Sequence, residues 1–135
     1  MTVAEAFLDS NVVLYALSQD AHKVARADAL MAAGGVVSVQ VLNEATNVMR
    51  RKWAMAWGEV DAVLEVVSAL CRIEPLTAQT HALGRNLAQR YSLSIYDAMI
   101  VAAATLAGCN VLYSEDMQHG LVIDQSLRII NPFAA

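Results

Sequence analysis

The segment from Ala98 to Ala107 constrains the fold of this chain more than any other, because it contains no charged residue and Thr105 is its only polar one. Ser94, followed three residues later by Asp97, is a helix start of the capping-box type. A helix that is apolar all round must be covered on nearly all sides. Its apolar run is well below the ~20 residues needed to span a membrane, so we expect it inside a layered domain.

Short apolar runs alternate along the chain with segments of helical period. The predicted strands are Ala6–Leu8, Val36–Val39, Arg72–Leu76, Asn110–Tyr113 and Leu127–Ile130. The predicted helices are Asn11–Leu17, Ala21–Ala33, Val41–Trp53, Trp57–Leu70, Thr77–Tyr91 and Ile95–Gly108. This alternation predicts an α/β fold with a mostly parallel sheet of about five strands flanked by helices. Pro75 favours an edge position for the third strand.

Length and composition predict a single domain over residues 1–135. The residues are 57% hydrophobic and 16% charged, which is more apolar surface than one small core needs, so a buried subunit interface is expected. The net charge of −4 is unlike that of a nucleic-acid coat protein. No secretory signal is recognisable, and Cys71 and Cys109 lack metal-site spacing, so we expect a cytoplasmic protein with reduced cysteines.

Acidic residues fall where predicted elements meet at one edge of the sheet. Asp9 follows the first strand, Glu44 lies early in the helix after the second, Asp97 opens the apolar helix, and Glu115 and Asp116 follow the fourth strand. Ligands of parallel α/β sheets bind at this carboxyl edge. Helix capping, turn formation or solvent exposure would explain each residue singly. Together their charges would repel one another unless a cation intervened, and oxygen-only ligands favour Mg²⁺ or Mn²⁺.

A carboxylate–metal site suits phosphoryl chemistry, and no phosphate-loop, dinucleotide or serine-hydrolase motif offers a rival. A haloacid-dehalogenase-like phosphatase would carry a second acid where Asn11 stands. That class and receiver domains also need a lysine that neither Lys23 nor Lys52 is expected to supply. A non-catalytic module that holds an arginine of a partner in its acidic pocket remains an alternative.

Five motifs together resemble a PIN-domain protein, specifically a VapC-type toxin ribonuclease of a toxin–antitoxin pair. They are FLDSNVVLYAL, VLNEATNVM, SIYDAMIVAAA, LYSEDMQHG and LRIINPF. The resemblance implies a three-layer fold around a mostly parallel sheet, a Mg²⁺- or Mn²⁺-dependent endoribonuclease acting on RNA, a homodimer and an inhibiting antitoxin. Its catalytic and metal-binding acids correspond to Asp9, Glu44, Asp97 and Asp116. Ser114 corresponds to a hydrogen-bonding residue that orients the site, with Asn11 and Glu115 as supporting neighbours.

The remaining predictions concern surfaces. The basic run Arg50, Arg51 and Lys52 is either a solvated helix end or a phosphate contact beside Glu44. Trp53 and Trp57 suit either an interface or the core. The apolar walls of the acidic cleft are expected to include Val12, Tyr15 and Leu42, and an inhibitor with an apolar anchor and an arginine would complement them.

Overall fold

The structure, a computed structural model, describes residues 5–134 and contains one six-stranded sheet. The strands are β1 (Phe7–Leu8), β2 (Val36–Ser38), β3 (Arg72–Glu74), β4 (Val111–Tyr113), β5 (Val122–Ile123) and β6 (Leu127–Ile130). Their order is β3-β2-β1-β4-β6-β5, with only β5 antiparallel to its neighbour. The α/β prediction with a mostly parallel sheet is confirmed, as is the edge position of β3.

Among residues 5–134, six α-helices flank this sheet. They are α1 (Ser10–Tyr15), α2 (Ala21–Ala32), α3 (Val39–Asn47), α4 (Trp57–Leu70), α5 (Ala78–Tyr91) and α6 (Ile95–Leu106). No helix among residues 5–134 is long and apolar enough to cross a membrane. Cys71 and Cys109 are buried and free of disulfides.

Helix α6 is covered as its sequence requires. Every residue from Ala98 to Ala104 is buried, with α5 packed along the helix. A close approach between α5 and α6 occurs at Gly84, where an added Cβ would overlap the Met99 side chain. The burial of α6 fixes its N-terminal turn, and therefore Asp97, relative to the sheet.

Strand β5 was missed by the sequence prediction of about five strands. It has only two residues, and the turn that joins it to β6 contains Asp124 (φ 48°) and Gln125 (φ 61°), both in the left-handed region. Asp124 is held by two hydrogen bonds from the Arg90 guanidinium and one from the Tyr91 hydroxyl. These tertiary contacts stabilise a hairpin turn between β5 and β6 that the local sequence does not predict.

The helix predicted over Val41–Trp53 is also organised differently. It begins earlier, at Val39, because the Ser38 hydroxyl accepts a hydrogen bond from the Val41 backbone N–H (3.2 Å). Its last part is a wider π-helical turn over Val48–Lys52. Such turns interrupt regular α-helices and are frequent near functional sites. Here the turn spreads the basic side chains of residues 50–52 over different surfaces.

Candidate active site

Asp9 is the buried centre of the acidic site. It directly follows β1, caps the N-terminus of α1 and is only 3% exposed. One of its carboxylate oxygens accepts a hydrogen bond from the Ser10 backbone N–H (2.7 Å), and the other accepts one from the buried Ser114 hydroxyl (2.7 Å). The Asp9 backbone N–H donates to the Tyr113 carbonyl (3.0 Å), which joins the ends of β1 and β4. Capping and site placement are therefore combined in one residue.

Asn11 connects the two halves of the site. Its side-chain amide donates to the carboxylates of Asp9 (3.3 Å) and Asp116 (3.2 Å). Its carbonyl oxygen accepts a hydrogen bond from the Glu115 backbone N–H (3.1 Å). An amide can donate and accept at once, which a second carboxylate at this position could not do. Asn11 therefore holds the loop after β4 against the start of α1.

Glu44 reaches the same place from α3. One carboxylate oxygen accepts a hydrogen bond from the Ser10 hydroxyl (3.1 Å), and the other accepts one from the Gln40 amide (3.1 Å). Ser10 also lies next to Asp9 in the chain, so one hydroxyl links the acids of β1 and α3. The carboxylate is half-buried and bound to protein donors, which argues against the interpretation as a purely solvated helix residue.

Asp97 uses its backbone rather than its carboxylate for capping. Its N–H donates to the Ser94 hydroxyl (3.1 Å), and the described residues show no reciprocal bond from its carboxylate to the Ser94 backbone N–H. Burial and the negative charge of Asp116 raise the pKa of the Asp97 carboxyl group, and the Ser94 side chain, acting as a donor, lowers it in part. The cap is therefore formed while the carboxylate stays available to the acidic cluster.

Asp9 is electrostatically coupled to Glu44 and Asp97, and Asp97 is coupled in turn to Asp116. Burial raises the pKa of Asp9 from the usual 3.8 to about 6. The hydrogen bonds from Ser114 and Ser10 lower the pKa, whereas the charges of Glu44 and Asp97 raise it further. A nearby cation would favour the ionised form of all these groups.

The sequence matches the PIN domain family over residues 6–120. The chain belongs to the PIN domain family. The resemblance noted in the sequence is thereby confirmed, and the haloacid-dehalogenase-like and receiver alternatives are excluded. No curated protein matches the sequence closely enough for comparison.

Solved structures of toxins share the fold of this PIN domain. A toxin–antitoxin complex from Klebsiella pneumoniae aligns with a TM-score of 0.73 at 19% identity, covering 97% of this chain and 100% of that one. VapC20 from Mycobacterium tuberculosis, described as a toxin that cleaves the sarcin–ricin loop, aligns with a TM-score of 0.68 at 20% identity, covering 83% and 90%. DNA-bound VapBC from Salmonella typhimurium aligns with a TM-score of 0.69 at 18% identity, covering 94% and 97%. At these identities the similarity establishes the fold.

The donor set of this PIN domain fits a hard divalent ion. Its acids offer only oxygen atoms, the ligands that Mg²⁺ and Mn²⁺ prefer. Within residues 5–134 no three histidine, cysteine or acidic side chains lie close enough to surround an ion by themselves. Mg²⁺ commonly keeps several waters and takes only one or two carboxylates directly. The arrangement therefore suits a partly hydrated ion rather than a closed protein cage.

Glu115 has partners outside the acidic cluster. Its carboxylate accepts hydrogen bonds from the Tyr15 hydroxyl and from the Lys23 ammonium group (2.9 Å). Burial alone would raise the pKa of Glu115, but these two bonds outweigh it and lower the pKa. Lys23 also lies over the Tyr15 ring, 4.2 Å from its centroid. Glu115 thus ties the loop after β4 to α1 and α2, and this role separates it from Asp116.

Lys23 was missed as a partner of the site, whereas Tyr15 lines the cleft beside Asp116 as predicted and also donates its hydroxyl to Glu115. Lys23 is 92 positions from Glu115 in sequence, and no local pattern indicates that the two residues meet.

Leu42 is half-buried and packs against the main core, and Val12 is completely buried. The prediction that Val12 lines the cleft is therefore wrong, because the short helix α1 turns it towards the sheet.

The basic run divides between different surfaces. Lys52 lines a cleft of about 570 Å³ beside Asp116, together with Tyr15 and Trp53. Arg50 donates to the Met55 carbonyl (2.8 Å) and lies 4.5 Å from the Trp57 ring centroid. Arg50 and Arg51 both line a groove along α3 that is separate from the cleft of Lys52. Trp53 and Trp57 are 40% and 57% exposed, so neither is a core residue.

Substitution of Asp9 by Asn should stabilise the metal-free PIN domain at neutral pH. Between about pH 4 and pH 6 the folded protein holds a proton on Asp9 that the unfolded chain has already released, so stability falls as the pH rises through this window. The shift corresponds to at most roughly 3 kcal/mol at pH 7. Urea unfolding in EDTA across this pH range measures the effect. Asp61→Asn on the exposed face of α4 is the control, and parallel pH profiles for wild type and Asp9→Asn would contradict the prediction.

Proposed function

We propose that this PIN domain is a Mg²⁺- or Mn²⁺-dependent endoribonuclease and the toxin of a cytoplasmic toxin–antitoxin pair. The observation that carries the proposal is the buried Asp9 carboxylate, whose pKa is raised by burial and by Glu44 and Asp97. A protein gains no stability from such crowding of like charges, whereas a divalent ion would make it favourable. The fold shared with a toxin described as cleaving the sarcin–ricin loop supports RNA as the substrate.

Asp9, Glu44, Asp97 and Asp116 would together hold the partly hydrated ion, some of them through its waters. When bound, it supplies Lewis-acid activation of water and neutralises charge on the phosphate under attack. The chain supplies orientation: Ser114 and the Ser10 backbone fix both oxygens of Asp9. Such groups behind metal ligands keep the ligand set in a productive geometry before substrate arrives.

Asn11 and the partners of Glu44 complete this orientation. The Asn11 amide keeps Asp9 and Asp116 a fixed distance apart without adding negative charge. Ser10 and Gln40 hold the Glu44 carboxylate from two sides. Glu115 is engaged by Lys23 and Tyr15, so it supports the loop and is not needed as a ligand.

Cleavage of total cellular RNA, with the cut sites mapped, tests the proposed activity. Asp97→Asn and Glu44→Gln should each lower the cleavage rate by more than about 100-fold, since even partners behind metal ligands contribute 10–100-fold. Asp97→Asn keeps the backbone N–H that forms the helix cap. Asp61→Asn, on the exposed face of α4, is the matched control and should cleave at close to the wild-type rate. EDTA should stop cleavage, and added Mn²⁺ should restore it.

Two results would contradict this assignment in different ways. Wild-type cleavage by Asp97→Asn would leave that residue a helix cap only. A folded wild-type protein that cleaves no RNA with either ion would favour a non-catalytic module that uses the acids to bind an arginine.

An antitoxin is proposed to inhibit the enzyme at the cleft beside Asp116. The cleft combines apolar side chains such as Leu14, Leu17 and Trp53 with the carboxylate of Asp116. A peptide with an aromatic or aliphatic anchor and an arginine complements both features, because a guanidinium pairs with a carboxylate through two parallel hydrogen bonds. Structures of toxin–antitoxin complexes with this fold support such a partner.

Antitoxin affinity should respond to the charge of the site. Saturating Mg²⁺ should weaken binding of the cognate antitoxin by competing with its arginine, while the apolar anchor remains. Asp116→Asn should weaken it about tenfold or more, because it removes the carboxylate that pairs with the arginine in the complex. Isothermal titration with and without Mg²⁺ measures both effects. An affinity that responds to neither change would mean that the antitoxin blocks RNA elsewhere.

A homodimer is proposed because apolar side chains remain on the surface of one chain. Leu17, Val66 and Leu70 are each more than 40% exposed around an apolar groove between α1, α2 and α4. Patches of this kind mark interaction sites in soluble proteins. Sedimentation at micromolar concentration should therefore give about twice the chain mass of 14.5 kDa. A single species at the chain mass would refute the dimer.

A further inference from the structure

Two grooves along α3 join into one polar surface that leads away from Glu44. The first, of about 460 Å³, is lined by Asn43, Thr46, Asn47, Arg50, Arg51 and Trp57. The second, of about 380 Å³, is lined by Gln40, Asn43, Glu44, Asn47 and Tyr96. Asn43 and Asn47 belong to both, so the surface, called here the α3 shelf, runs without a break from Trp57 to Tyr96 and passes the proposed active site.

The shelf has an aromatic ring at each end. Trp57 is 57% exposed and Tyr96 is 65% exposed. The Arg50 guanidinium lies 4.5 Å from the Trp57 ring centroid and is itself held by the Met55 carbonyl, so the ring is supported on that side. An exposed ring supported in this way is a stacking platform for an unpaired base.

The shelf also carries positive charge in a protein that is acidic as a whole. Two of the nine lysine and arginine residues, Arg50 and Arg51, line it next to each other in the chain. Within residues 5–134 the Arg51 side chain makes no hydrogen bond or ion pair, so its charge is available to a phosphate. The amides of Asn43 and Asn47 lie between this charge and Glu44, where they can donate to and accept from base edges.

We propose that the α3 shelf binds a single-stranded segment of the RNA substrate next to the bond that is cleaved. A base stacks on Trp57, a neighbouring phosphate contacts Arg51, and the strand continues past Asn43 and Asn47 towards Glu44. This inference rests on the proposed ribonuclease function and narrows its substrate to RNA that is unpaired on this side of the cut. A duplex cannot use the shelf, because its bases are already stacked on one another.

A protein partner fits the shelf less well than RNA. The residues between the two rings are amides, a threonine, a glutamate and arginines, with no aliphatic side chain among them. The exposed aliphatic side chains lie instead around the groove between α1, α2 and α4. Protein interfaces concentrate apolar area at their centre, whereas single-strand sites combine rings with cations.

Binding of a short fluorescein-labelled oligouridylate, measured by anisotropy in EDTA so that no cleavage occurs, tests the proposal. Trp57→Ala should raise Kd about 5- to 100-fold, the range expected for the loss of one base stack, while Trp57→Phe should retain most of the affinity. Arg51→Ala should lower the slope of log Kd against log salt by about 0.7, the value for one phosphate on a single strand. Arg85→Ala, on the exposed face of α5, is the matched control and should change neither quantity.

Tyr96→Ala provides a second variant that leaves the Arg50–Trp57 contact intact, and it should also raise Kd. Unchanged binding by both Trp57→Ala and Tyr96→Ala would overturn the proposal. Loss of the dimer in sedimentation, with unchanged RNA affinity in Trp57→Ala, would overturn it in favour of a subunit contact. A wild-type protein that binds the oligonucleotide but never cleaves RNA with Mg²⁺ or Mn²⁺ would refute the proposed enzyme and leave the shelf in place.

Discussion

The hydrogen bond from Ser114 to Asp9 is the interaction on which the arrangement of the site depends. It joins the residue after β4 to the residue after β1, and both side chains are buried where the two central strands end. A buried carboxylate without donors would be costly, so the bond both stabilises the charge and fixes the position of the carboxylate. Asp9 is thereby the buried, hydrogen-bonded reference point around which Glu44, Asp97 and Asp116 are arranged.

The hydrogen-bond donors around the Asp9 carboxylate are all neutral, which explains why its negative charge is not balanced by a protein cation. Ser114, Ser10 and Asn11 are neutral, so they orient Asp9 without cancelling its charge. The nearby cation Lys23 is paired instead with Glu115, one residue before Asp116. A lysine within the cluster would neutralise the acids in the metal-free protein and compete with an ion. The ion pair between Lys23 and Glu115 instead holds the loop after β4, and the electrostatic potential at Asp9 stays negative.

Much of this arrangement could be predicted from sequence because each acid is tied to a local element. Asp9 ends a buried strand, Asp97 opens an apolar helix, and parallel strands bring such positions to one edge. The strand and helix types were therefore predicted correctly, and the elements that carry the acids followed from them. Strand β5, the π-helical turn and the Lys23–Glu115 pair depend on contacts between distant residues. Hydrophobic period carries no information about such contacts, which also explains why Val12 was assigned to the cleft although α1 buries it.

Asp97 shows why a local explanation and a functional one need not compete. The backbone N–H of this residue satisfies the Ser94 cap, and capping requires nothing from the carboxylate. The same helix is buried along Ala98–Ala104, so its first turn cannot shift without disturbing the core. The cap therefore sets the direction in which α6 begins, and packing in the core fixes the position of the helix along its axis. Together they place the Asp97 carboxylate next to the other acids. An acidic residue at a helix N-terminus stabilises the helix. At this edge of the sheet the same position also suits binding of a cation.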